Sequence, residues 1–161
     1  EVTIIIRLYH HDYGWKIKDR ILANNFNCKV IFNDHQMSDN QGSFMKQLAQ
    51  CEIFVTDHLS SSYLQSLGFN IPTVVYSDPN ISKFRASELH FSAKLKELKI
   101  LHDTPESAAI HINQVHEEVN KWWGSSKLKQ GISGFIDRHA HPDEKWVKRW
   151  VARCLYLKSD G

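Results

Sequence analysis

Three short stretches carry side chains that can do chemistry. Asp57-His-Leu-Ser-Ser-Ser62 puts a carboxylate, an imidazole and three hydroxyls directly after Ile53–Thr56, a brief apolar and β-branched run of strand type. The serines stand where a helix running to about Gly68 begins. A helix that opens just beyond the carboxyl end of a parallel strand turns unpaired N–H groups toward the cleft above the sheet, where phosphates and other anions bind. Ser60, Ser61 and Ser62, with Asp57 and His58, are therefore candidate anion ligands. The competing reading is simple capping, since Ser62-Tyr-Leu-Gln65 fits a Ser-x-x-Gln capping box. Capping occupies one serine and leaves Asp57, His58, Ser60 and Ser61 unexplained.

Arg7-Leu-Tyr-His-His-Asp12 is the second stretch. It follows another strand and is expected on the same rim, with Arg7 and His11 as anion ligands; an Arg7–Asp12 ion pair with solvated histidines is the alternative. Metal binding by the adjacent His10, His11 and Asp12 is disfavoured, because neighbouring residues seldom point at one ion. In the third, His139-Ala-His-Pro-Asp143, the His-x-His pair lacks a Cys or Glu at useful spacing, so it reads as an exposed helix start. Arg138 beside it is a further anion-ligand candidate. These patterns assign no metal site and no catalytic residue.

The elements that must position these groups alternate. Val2–Leu8 reads as a central parallel strand, and Trp15–Asn24 as a helix with Trp15, Ile21 and Leu22 inward. Cys28–Phe32 is the second strand, and Ser43 can cap a short helix with Phe44, Met45, Leu48 and Ala49. The Asp57–Ser62 turn, its helix and the strand Thr73–Tyr76 follow. Ser77–Ser82 has turn chemistry. Phe84–Leu98 is expected helical and Ile100–Leu101 a short strand. Thr104 and Pro105 mark a helix N-cap and first turn, with the helix continuing to about Trp123. Leu128 to about His139 is a further helix or turn-rich segment. Pro142 starts a last helix with Trp146, Val147, Trp150, Val151 and Cys154 on one face. Core packing is the expected role of Trp122, Trp123, Trp146 and Trp150. The pattern predicts an α/β fold: a Rossmann-like open parallel sheet of four or five strands, helices on both faces, and a helical C-terminal tail.

Composition bounds the function. A chain of 161 residues, 42% hydrophobic and 24% charged, suits one compact domain over 1–161. A net charge of +2 without a dense Lys/Arg stripe argues against a nucleic-acid partner. Ten histidines imply a charge that rises as pH falls below about 6.5. Cys28, Cys51 and Cys154 are scattered and odd in number, Cys51 and Cys154 in positions that suit buried thiols; this fits a reducing compartment such as the cytoplasm. No run approaches the roughly 20 apolar residues of a membrane span. Gly-x-Gly-x-x-Gly, P-loop and Gly-x-Ser-x-Gly patterns are absent, which disfavours classical dinucleotide, ATP and serine-hydrolase sites. A chain that opens on Glu1 directly before a strand is expected to be a piece of something longer.

The segment Val55-Thr-Asp-His-Leu-Ser-Ser-Ser-Tyr-Leu-Gln-Ser-Leu-Gly-Phe-Asn-Ile-Pro-Thr73 resembles a Thr-Asp, Ser/Thr-rich segment of bacterial surface-carbohydrate transferases, two-domain enzymes of GT-B type. Ile6–Trp15, Trp122-Trp123 and Phe135–Ala140 are similar to the same group. The resemblance implies the carboxyl-terminal, donor-binding half of a glycosyltransferase for lipopolysaccharide, capsule or related polymers. It implies a nucleotide-activated sugar as donor substrate, no separate cofactor, and an acceptor site on an amino-terminal domain outside this chain. By that resemblance Ser60, Ser61 and Ser62 meet the phosphates, with Asp57, His58 and Arg7 nearby. Where this chain has Gln65 the family often carries a carboxylate. The full-length enzyme is expected in the cytoplasm, peripherally at the inner face of the membrane, and this piece alone is expected to be inactive. A sugar-nucleotide epimerase half and a non-enzymatic flavodoxin-like module are the alternatives. The latter is disfavoured as a receiver because Asp12 stands largely alone.

Overall fold

The structure is a computed structural model that describes residues 2–8, 13–32, 44–140 and 145. The chain forms two compact units, 1–50 and 51–161.

In the first unit, β1 (Thr3–Ile6) and β2 (Lys29–Phe32) pair in parallel, with Ile5 opposite Ile31. Parallel pairing requires a crossover. Here the crossover carries α1 (Ile17–Leu22), and α2 (Phe44–Leu48) follows β2. The expected start of α1 at Trp15 is displaced. Gly14 (φ 82°) and Lys16 (φ 49°) both occupy the left-handed region, which a helix cannot include, so Trp15 stays outside it. Trp15 and Leu22 are accordingly 63% and 59% exposed rather than inward, while Ile21 is half-buried. The Ser43 cap lies outside the described residues.

In the second unit β3 (Phe54–Thr56), β4 (Thr73–Tyr76) and β5 (Leu101–His102) form a parallel sheet in that order. Val55 stands opposite Val74, and Val75 opposite Leu101. The crossovers hold α3 (Ser61–Gly68) and α4 (Leu89–Glu97), the latter preceded by a 3-10 turn at Ala86–Glu88. Two steps in one direction with right-handed crossovers put both helices on one face. There Tyr63, Leu67, Leu95 and Leu98 pack with Val75, Ile100 and Leu101. α5 (Pro105–Val115) packs against β4 and β5, and His102, adjacent to Leu101 and so on the opposite face, bonds to it through Ser107. All five expected strands are present, and within each unit the paired strands are parallel. They hydrogen-bond as a pair and a triple rather than as one ladder.

The helix expected from Thr104 to Trp123 is two. The ring of His116 donates from Nδ1 to the Asn113 carbonyl, 3.0 Å, and the ladder stops; α6 (Val119–Trp123) starts afresh. α7 (Ser126–His139) adds Leu128, Ile132 and Phe135 to the core. It ends so close to α3 that a methyl group at Gly68 would overlap the Ala140 carbonyl oxygen. The helix expected from Leu128 to about His139 is thus present, and the helix entry expected in His139–Asp143 lies outside the described residues beyond Ala140. The helix expected from Pro142, with Trp146, Trp150 and Cys154, lies outside the described residues. Cys28 and Cys51 are half-buried, and burial pushes the Cys51 thiol up.

Ile100 is fully buried and Ile110 is 59% exposed, so truncation should separate them. Ile100→Ala is expected to cost about 2–5 kcal/mol and Ile110→Ala under about 0.5, read by urea denaturation.

Candidate functional site

The carboxyl ends of β3, β4 and β5 open on one rim, because the strands are parallel. After β3 the chain turns through Asp57 and His58, which pair at 2.7 Å (Oδ1 to Nδ1) with both side chains well exposed. Ser60 is the N-cap of α3, in extended geometry suited to capping (φ −117°, ψ 178°), yet its side chain caps nothing. Its hydroxyl instead pairs with that of Ser62 at 2.6 Å. Ser62 is the second helical residue, so the Ser62–Gln65 capping box does not form. The two other Ser/Thr N-caps among the described helices do bond the backbone. Thr104 Oγ1 accepts from the Ser107 N–H at 3.2 Å, and Ser125 Oγ from Leu128 N–H at 3.3 Å. Among described helices with Ser or Thr at the N-cap, α3 alone leaves its first-turn N–H groups uncapped by a side chain.

The same turn forms one wall of a cleft of about 420 Å³ over the ends of β4 and β5. Leu59 comes from the β3 turn, Ser77 follows β4, Lys83 and Phe84 come from the loop beyond, Lys96 from α4, and Asp103 follows β5. The loop is folded by Asp78, whose Oδ1 accepts from Asn80 N–H at 2.8 Å and whose carbonyl accepts from Ile81 and Ser82. Lys96 is held by Asp103 at 2.6 Å, whereas Lys83 has no ion partner among the described residues. Tyr76 closes the strand end; its phenol is pushed up first by desolvation and then by the charges of Asp57 and Glu106. The cleft brings serine hydroxyls, two lysines and the Asp103 carboxylate beside an apolar wall of Leu59, Phe84 and Leu89.

Within the second unit the sequence-based candidates fall in two places. Asp57, His58, Ser60, Ser61 and Ser62 are together at the start of α3. Arg138 Nη2 donates to Glu88 Oε1 at 3.0 Å, and His139 Nε2 to Glu88 Oε2 at 2.9 Å. Desolvation would raise the Glu88 carboxyl, but the His139 hydrogen bond and the Arg138 charge outweigh it and hold it below the usual range. Arg7 belongs to the first unit, where its guanidinium donates to Gln47 Oε1 at 2.9 Å and lies 5.8 Å from the Phe44 ring centre. His11 lies outside the described residues. Lys83, Phe84 and Lys96 were not singled out from sequence. The usable signal was Ser77, which follows a strand as Asp57 does.

No group of three or more His, Cys, Asp or Glu among the described residues is arranged to hold a metal ion. No described helix is long and apolar enough to cross a membrane.

The family profile of the LIC12162 family transferase matches residues 1–153, and the chain belongs to that family. Comparison with curated proteins and with solved structures gives no match.

An N-cap that bonds no backbone N–H contributes little to its helix. Ser60→Ala is expected to change stability by less than about 0.5 kcal/mol, while Thr104→Ala costs about 1 kcal/mol, compared by thermal or urea melts.

Proposed function

We propose that this transferase is a glycosyltransferase of bacterial surface-polysaccharide synthesis, and that the β3–β5 rim holds the diphosphate of a nucleotide-activated sugar. The carrying observation is the uncapped start of α3, with the Ser60–Ser62 hydroxyl pair at 2.6 Å, beside a cleft bearing Lys83 and Lys96. In the transfer step the bond between the anomeric carbon and the phosphate oxygen breaks, and its electron pair stays on the phosphate. The acceptor hydroxyl oxygen bonds the carbon and gives up its proton. Charge grows on the leaving phosphate, so N–H groups and a lysine fixed beside it favour the transition state over the ground state. His58, with Asp57 on its Nδ1, keeps Nε2 as a hydrogen-bond donor or acceptor for the ligand in this reading.

In this reading the chain is the donor-binding half of a GT-B-type enzyme, with the acceptor site on a preceding domain, working in the cytoplasm at the inner membrane face. The donor is a substrate, and no resident cofactor is needed. The resemblance of Val55–Thr73 to surface-carbohydrate transferases and the family membership support it.

Isothermal titration with UDP, CMP, CDP and GDP is expected to give weak binding of at least one. Lys83→Ala and His58→Ala should each weaken that binding roughly tenfold, the worth of one charge-assisted hydrogen bond. No heat from any nucleotide at millimolar concentration would remove the donor-site reading.

A further inference from the structure

On the sheet face opposite α3 and α4, two histidines are buried against each other. His102 of β5 is 6% exposed and His111 of α5 is 7% exposed. Their rings stack with centres 5.5 Å apart at 29°, and the Trp122 ring of α6 meets His111 edge-on at 4.8 Å. The two histidines are unequally served. His102 Nε2 donates to the Lys99 carbonyl at 3.0 Å, so its Nδ1 accepts from the Ser107 hydroxyl at 3.0 Å. Were His102 protonated, Nδ1 would donate to Ser107, whose hydroxyl would turn to the Thr104 carbonyl at 3.1 Å. His111 has no such outlet: its Nε2 is buried without a partner among the described residues. A buried polar atom left unpaired calls for an explanation.

We propose that the His102–His111 pair is a pH-sensitive latch: neutral, it holds α5 and α6 against the end of β5, and protonated, it releases them. The groups facing the pair do not rescue a second charge. Lys99 adds positive charge from the turn before β5. Asp103 draws a proton toward His102, but it is already engaged by Lys96. Tyr76 lies beside His102 in the strand register as a neutral phenol, with Glu106 acting on it from α5. Trp122 offers His111 only its ring.

Desolvation first, then the charges of His102 and Lys99, lower His111 to about 4, and desolvation lowers His102. An unfolded histidine titrates near 6.5. The latch therefore stabilises fully above about pH 6.5, weakens as pH falls from there toward about 4, and loses nothing further below. Leu101 and Asp103, on either side of His102, both line the cleft, so release loosens that wall.

The test uses the 161-residue chain and no nucleotide, so it stands apart from the donor reading. His111→Phe keeps an apolar ring without a proton site. Between pH 7 and 5 the wild-type melting midpoint is expected to fall several degrees more than that of H111F. Parallel falls would overturn the latch. Ring-proton NMR of His111 in the wild type needs no variant: a midpoint well below 6.5, with Trp emission changing over the same range and that change absent in W122F, supports it. A midpoint near 6.5 or higher overturns it.

Discussion

Burial of the central strand β4 is the constraint on which the rest of the second unit depends. Thr73, Val74 and Val75 are 0–1% exposed, with strands on both edges and helices on both faces. A strand enclosed in this way can present chemistry only where it ends, which puts Ser77 and the following loop on the rim. A buried hydroxyl chain ties α3 to it. Thr73 Oγ1 lies 2.8 Å from Ser66 Oγ, and Ser66 donates to the Tyr63 carbonyl at 2.8 Å. Each such bond is worth only about 1 kcal/mol net, yet leaving one partner unpaired here costs more. The chain thus fixes how far the start of α3 stands from the end of β4.

The helical tail belongs to this core. Leu128, Ile132 and Phe135 of α7 are 3–4% exposed against α3 and α4, so the helices that carry Ser62 and Lys96 cannot shift without opening the apolar cluster. Polar ties pin the same parts. Trp123 Nε1 donates to the Asn70 side chain at 3.0 Å, just after α3. Glu88 joins the start of α4 to the last turn of α7 through Arg138 and His139. Arg138 therefore has a structural role whatever else it contacts. It closes the end of α7, where a cation also suits the helix dipole.

Local signals in the sequence were readable where local physics decides. Thr73–Tyr76 is a strand over the residues its β-branched run predicts, and Thr104-Pro105 starts a helix as capping chemistry requires. The break at His116 was hidden, because it depends on which carbonyl an imidazole happens to take. Trp15 misled because its apolar side chain was read into a helix that two left-handed residues exclude. At the site, Asp57–Ser62 was visible from its position after a strand. Lys83 and Lys96 were not, since they reach the cleft only once the loop after β4 and α4 fold back over the sheet. The histidine pair was likewise invisible: His102 and His111 lie nine positions apart on different elements, and only α5 docking stacks them.

The start of α3 is where local and global preferences part. Ser60 has the backbone of an N-cap and the side chain of one, but its hydroxyl turns to Ser62. Thr104 and Ser125, the other Ser/Thr N-caps among the described helices, do accept from a backbone N–H. Forgoing a cap costs about 1 kcal/mol, which the Ser60–Ser62 hydrogen bond offsets in part. The uncapped start of α3 and its hydroxyl pair follow Asp57 and His58 at the carboxyl end of β3. In the donor-binding reading that cost is the counterpart of keeping hydrogen-bond donors open for a phosphate, which would complete the cap from outside the chain.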